Sequence, residues 1–248
     1  MRSERAEHRR RRARLGAPVA LALAMASHTP AAHEGHEPPP AGVREPYAFP
    51  VAAPGTYRLP PIKRAAGGPV LDETGRRHDL ADLVRGRVAV VAFIYTRCGD
   101  VCPTATLDMS QLQDLAAKDR HLSGRMRLIT MSFDPEHDRP EVMGEFGARW
   151  RSDEPASPEW LFLTAPDRET VAPMLAAYNQ RVDRKPDAAS PGGPLNHIFR
   201  AFLIDREGLI RNIYSFEFFD PKLVLNDVQT LLVERAATPS SGERSPRR

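Results

Sequence analysis

Apolar positions change their spacing along this chain, and each change marks an element. Val88 to Tyr95 is an unbroken run of β-branched, aromatic and small apolar residues, the pattern of a strand buried on both faces. Pro103 stands where a helix tolerates proline, in its first turn. The helix that follows is expected to place Leu107, Leu112 and Leu115 on one side as far as Gly124. Arg125 to Phe133 reads as a second strand and Trp160 to Thr164 as a third. Between them, Asp138 ahead of Arg139-Pro140-Glu141 is a helix start, and that helix runs to about Trp150. Asp167 opens a helix through Val171, Leu175 and Tyr178 that Pro173 is expected to interrupt. Arg181 to Leu195 is a Pro/Gly loop. Ile198–Ile204 and Leu209–Tyr214 flank Asp205-Arg206-Glu207-Gly208, a hairpin signal, and Leu223 to Val233 is a closing amphipathic helix. Upstream, Leu59 to Leu71 predicts a hairpin arm with Asp72-Glu73-Thr74-Gly75 as its turn, and Leu80 to Val84 a helical turn closed by Gly86.

The order is strand, helix, strand, helix, strand, helix, then hairpin and helix. Alternation of this kind implies parallel βαβ units with an antiparallel pair added late. The predicted fold is α/β, a thioredoxin-like sandwich with a central mixed sheet, flanking helices and a late β-hairpin. The domain is placed over 57–235, with a Ser/Pro/Arg-rich tail over 236–248 expected to be disordered.

The first 56 residues lack these periods. Met1 to Arg14 is arginine-rich, Leu15 to Ala26 is apolar, and Ala24-Met25-Ala26 suits a signal-peptidase site. Residues 1–26 therefore read as a signal peptide, with a basic tail as the alternative. The apolar run is too short for a spanning helix, which needs about 20 residues, and no cysteine follows it to carry a lipid. Export to the periplasm or the outer face of the cytoplasmic membrane is expected. Residues 27–56, rich in His, Pro and Ala, read as a linker whose His28, His33 and His36 either gather metal loosely or sit in a solvated tail.

Charge changes the picture once the leader is set aside. Residues 1–26 hold seven arginines and two glutamates, so 35 basic and 32 acidic residues become 28 and 30, a net of −2. The basic balance belongs to the leader, and the body has no nucleic-acid patch.

The chemistry lies where the first strand ends. Cys98 and Cys102, the two cysteines of the chain, follow Val88–Tyr95 in the loop before Pro103. A helix N-terminus favours thiolate over thiol. A structural bridge across so short a loop has little entropic benefit. If 98–102 makes about one helical turn, both sulfurs face one side and can form a reversible disulfide or hold a soft ion. Cu(I) tolerates few ligands, whereas zinc would need more donors than this pair supplies. His197, just before the strand Ile198–Ile204, is the candidate third ligand. A lone histidine is more often structural, so spacing leaves both readings open. His78, His121 and His137 lie in charged, turn-like contexts and read as surface residues, and Asp100 either tunes the site or sits in a turn. Val101-Cys102-Pro103-Thr104 looks superficially like a peroxidase motif. The proline and hydroxyl such a cysteine has upstream are missing, since Tyr95 and Gly99 hold those positions.

Three blocks together, T-R-C-G-D-V-C-P-T, S-F-D-P-E-H-D-R-P-E-V and L-N-H-I-F-R-A-F-L-I-D, resemble the Sco/SenC family in content and order over roughly Tyr57 to Val233. The resemblance implies a thioredoxin-like fold and a copper ion, as Cu(I) or Cu(II), held by Cys98, Cys102 and His197. It implies a metallochaperone that delivers copper, or reducing equivalents, to the binuclear copper site of cytochrome c oxidase during assembly. The implied partners are the copper-site subunit and a thiol reductant or other copper chaperone, with no nucleic acid. The alternative is a thiol–disulfide oxidoreductase, or a redox or copper sensor, in which Cys98 and Cys102 are the redox pair. Gly99 stands where the family usually has proline, and Asn196 where an acidic residue is common, which removes a charge beside the site.

Overall fold

All seven residues of Val88–Ile94 are buried, as a strand flanked on both sides and both faces must be. The computed structural model describes residues 51–187 and 189–236. The signal-peptide segment, nearly all of the 27–56 linker and the tail from 237 lie outside them.

In chain order the strands and helices are β1 (Lys63–Arg64), β2 (Pro69–Leu71), β3 (Arg77–Asp79), α1 (Leu80–Val84), β4 (Val88–Ile94), α2 (Val101–Ala117), β5 (Met126–Ser132), α3 (Pro140–Ala148), β6 (Glu159–Leu163), α4 (Arg168–Ala177), β7 (Val182–Arg184), β8 (Leu195–His197), β9 (Arg200–Ile204), β10 (Leu209–Ser215) and α5 (Pro221–Ala236). Six strands form one sheet in the order β1-β10-β9-β4-β5-β6. β4, β5 and β6 run parallel, as the βαβ units require. β9 and β10 are the late hairpin, and β9 pairs antiparallel with β4 through Ala89↔Ile204 to Ala92↔Ala201. The predicted mixed sheet with flanking helices is observed.

The core is built from alternate faces of these strands. Phe93 and Phe202 meet Tyr178 at the end of α4, with ring centroids 5.0 and 4.9 Å from it. Phe162 of β6 lies so close to α3 that a Cβ on Gly147 would sit 2.6 Å from its ring. α5 packs on α2 and β4. Each large side chain so buried contributes ~2 kcal/mol.

Several local expectations are corrected. α2 ends at Ala117 rather than Gly124, and its buried line is Ala105, Met109, Leu112 and Ala116, while Leu107 is 45% exposed. Residues 107 and 112 are five apart, which turns them to different sides of a helix. Pro173 does not interrupt α4, which runs through it. Asp138 does not cap α3: Arg139 is the N-cap residue, and the Asp138 carboxylate turns inward. The Arg181–Leu195 loop is bracketed by β7 and β8, which pair as a separate two-stranded sheet. Asp72–Arg76 does turn a hairpin, but its arms are β2 and β3, while β1 joins β10. Before Tyr57 the chain already contacts α5, with Gly55 N donating to Thr230 Oγ1 at 3.1 Å. α5 extends to Ala236, the first residue of the predicted tail.

Candidate metal centre

The sheet brings three turns to one end. β4 delivers Tyr95 to Asp100 into α2, β5 delivers Phe133 to Asp138 into α3, and β8 ends on His197. The C-terminal ends of parallel strands are where α/β sheets hold ligands.

Cys98 and Cys102 are free thiols, 6% and 2% exposed. His197 Nε2 lies 3.8 Å from Cys98 Sγ and 3.4 Å from Cys102 Sγ. The three ligand atoms lie within 4.8 Å of one another, and among the described residues no other group of His, Cys, Asp or Glu meets this arrangement. The structure thus brings together all three residues singled out from the sequence. His78 instead pairs with Asp72 Oδ2 at 2.7 Å, His121 and His137 are exposed, and the Asp100 side chain is exposed and caps nothing. His28, His33 and His36 lie outside the described residues.

The imidazole lies beside two aromatic rings. Its centroid is 5.0 Å from Phe133 and 5.6 Å from Tyr95, the latter edge-on at 83°. Nδ1 is buried with no hydrogen-bond partner among the described residues. A buried imidazole nitrogen normally finds an acceptor, and the usual orienting partner of a metal-bound histidine is absent here. The sulfurs are electrostatically unequal. The Cys102 thiol donating to Cys98 Sγ holds the Cys98 thiol far below its ordinary value. His197 and the backbone N–H groups of Asp100 and Cys102 add to this, against burial that pushes it up. The same thiol hydrogen bond, with burial, pushes Cys102 far above its ordinary value. Of the two thiols, Cys98 is the more acidic.

The thiol loop rests on a buried carboxylate. Asp138 Oδ2 accepts from Thr96 N at 2.9 Å and Ser132 Oγ at 2.5 Å, and Thr96 Oγ1 donates to Oδ1. Arg97 pairs with buried Asp134 at 2.6 Å. Beside Cys98 and His197 a cavity of about 270 Å³ opens, lined also by Asp100, Lys185, Ile198 and Phe216. Sequence reasoning missed Tyr95, Thr96 and Asp138. A tyrosine closing an apolar strand was a signal, because a buried phenol seeks a partner. Nothing local marked Asp138 as inward-facing.

Two soft thiolates and an imidazole are the donor set of a soft, low-coordinate ion, and the same two sulfurs can close a disulfide.

Comparison with known proteins agrees with this geometry. The SCO1 protein homolog of Bacillus subtilis is 26% identical over 145 residues, 58% of this chain and 69% of that protein. Two solved structures share the fold. The Arabidopsis thaliana ScoI structure with copper bound has a TM-score of 0.58 at 16% identity, covering 68% of this chain and 98% of that one. BsSco, described as a member of the Sco family of cytochrome c oxidase assembly proteins, has a TM-score of 0.55 at 22% identity, covering 70% and 96%. The family described as SCO1/SenC matches residues 69–233, a span that holds β2 through most of α5 and all three candidate ligands. The chain belongs to the SCO1/SenC family.

Proposed function

We propose that this protein binds one copper ion through Cys98, Cys102 and His197 and delivers it to the binuclear copper site of cytochrome c oxidase during assembly. The observation that carries the reading is the mutual approach of two sulfurs and one imidazole nitrogen within 4.8 Å. Cu(I) matches this set. Thiolates are soft donors, and a neutral imidazole adds a third without adding charge. The copper-bound ScoI structure and the oxidase-assembly family of BsSco support the cargo and the recipient. The copper here is cargo. The chain's own work is to shield it between buried sulfurs and to present it where Cys98 borders an open cavity.

A second reading has its own support. The more acidic thiol of Cys98 beside the thiol of Cys102 is the pairing a dithiol reductant uses, one sulfur attacking a partner's disulfide and the other resolving it. His197 is not needed for that exchange. Both readings place the protein outside the cytoplasm, which the leader-like residues 1–26 support and N-terminal sequencing of the mature chain tests.

The deciding experiment mixes the purified protein with the soluble copper-site domain of the oxidase. The reduced protein loaded with Cu(I) should pass its copper to the reduced domain, read as two copper ions per domain by metal analysis after the two proteins are separated. If it transfers no copper, yet the copper-free dithiol reduces the oxidised domain, the oxidoreductase reading holds instead.

A further inference from the structure

His197 sits on a strand that the main sheet does not hold. Among the described residues β8 pairs only with β7, through Val182↔His197, Asp183↔Asn196 and Arg184↔Leu195, in a separate two-stranded sheet. No ladder bond therefore sets the distance from His197 to the sulfurs that follow β4. Something else must lock the two together, because a ligand that can drift is a weak one.

The contacts across this gap converge on one phenol. Tyr95, 1% exposed, follows β4 and stands three residues before Cys98. Its hydroxyl lies 2.8 Å from Gly192 O and 3.1 Å from Leu195 O, and it accepts from Leu195 N at 3.4 Å. A phenol has one proton, so it donates to one carbonyl at a time while accepting the Leu195 N–H. Leu195 is two residues before His197 on the same strand, and the Tyr95 ring packs nearly perpendicular to the imidazole itself, with centroids 5.6 Å apart. Gly192 O also accepts from Gly99 N, weakly, at 3.4 Å. Gly193 shows how closely the segment is drawn in. It has φ +90°, and a Cβ there would lie 2.4 Å from Arg97 O and 2.7 Å from the Tyr95 hydroxyl. Only glycine fits between the two loops.

We propose that the Tyr95 hydroxyl is the clasp that holds His197 over the two sulfurs, so that Tyr95 is a positioning residue for the third copper donor; this rests on the copper reading above. The phenol touches no metal. It acts by fixing the 192–195 segment, and through it the register of β8 against the thiol loop.

The test is a double-mutant cycle read by competition with a Cu(I) chelator. It uses the reduced full chain as wild type, Tyr95→Phe, His197→Ala and the double variant. Tyr95→Phe keeps the ring and removes the hydroxyl. It should weaken Cu(I) binding about 10-fold, the scale of a lost outer-shell contact. In the His197→Ala background the same change should have no further effect, because the group it positions is gone. Gly193→Ala, which pushes the segment away from the other side, should repeat this pattern. Two results would overturn the inference: Tyr95→Phe binding as wild type does, or losing the same factor in both backgrounds, which would mean that it acts on the sulfurs or the fold. A separate result, His197→Ala binding as wild type does, would remove the histidine from the site and take the copper reading with it.

Discussion

The two loops that meet at the sulfur–imidazole site are held by different kinds of bond. The thiol loop is tied down by carboxylates: Asp138 accepts from Thr96 and Ser132, and Asp134 pairs with Arg97. The segment that carries His197 is tied by neutral contacts, a three-residue ladder with β7 and the Tyr95 hydroxyl, and the imidazole keeps one buried nitrogen without a partner among the described residues. Bonds to charged groups are worth roughly twice neutral ones. The sulfurs are therefore part of the fold's frame, whereas the histidine is docked onto it. A protein that must hold a cargo and then release it gains from that asymmetry: one ligand can leave without loosening the other two.

The largest effect should come from the charged side. Asp138→Ala leaves the Thr96 N–H and the Thr96 and Ser132 hydroxyls without their acceptor and should cost about 3 kcal/mol in urea unfolding. Tyr95→Phe should cost about 1 kcal/mol, the usual worth of a neutral hydrogen bond. Equal costs would erase the contrast.

A pH dependence sharpens it. Burial, the leading cause, raises the Asp138 carboxyl above its ordinary value, with the bonds from Ser132 and Thr96 pulling the other way. A group raised in the folded state contributes stability that is whole below its unfolded value, about 3.9, and is lost as pH rises through the folded value. Asp138→Asn cannot titrate. The stability of wild type minus that of the variant should therefore shrink as pH rises above about 4. A difference that is flat or grows with pH would mean that the carboxyl is not raised.

The smallest effect distinguishes the sulfurs themselves. The Cys98 thiol is pulled down by the bond from Cys102, and Cys102 is pushed up by the same bond and by burial. Brief iodoacetamide treatment of the reduced protein near neutral pH should label Cys98 first, which peptide mass spectrometry reads directly. Equal labelling, or Cys102 first, would reverse the assignment.

Much of this was legible along the chain, for physical reasons that differ by residue. The run Val88–Tyr95 could only be a strand buried on both faces, and it delivered Cys98 and Cys102 to a helix start. His197 was legible as a candidate because it precedes a strand of the late hairpin, and the fold brings that turn to the sulfurs. The inward turn of Asp138 was not legible. Asp before Arg-Pro-Glu is a sound capping pattern, and only the half-buried Thr96 and buried Ser132, 42 and 6 residues away, outcompete the helix end for its carboxylate. Leu107 is exposed for a simpler reason: five residues along a helix turn it well away from the buried Leu112. Tyr95 read as one more apolar residue of its strand, because the carbonyls it bonds lie about a hundred positions further on.

The central claim is that copper is held by two sulfurs and one histidine of this chain. X-ray absorption of the reduced protein loaded with one equivalent of Cu(I) tests it most directly. Two sulfur scatterers and one nitrogen scatterer in the first shell, the nitrogen lost in His197→Ala, is the predicted result. A sulfur-only shell, the same in wild type and in His197→Ala, would contradict it.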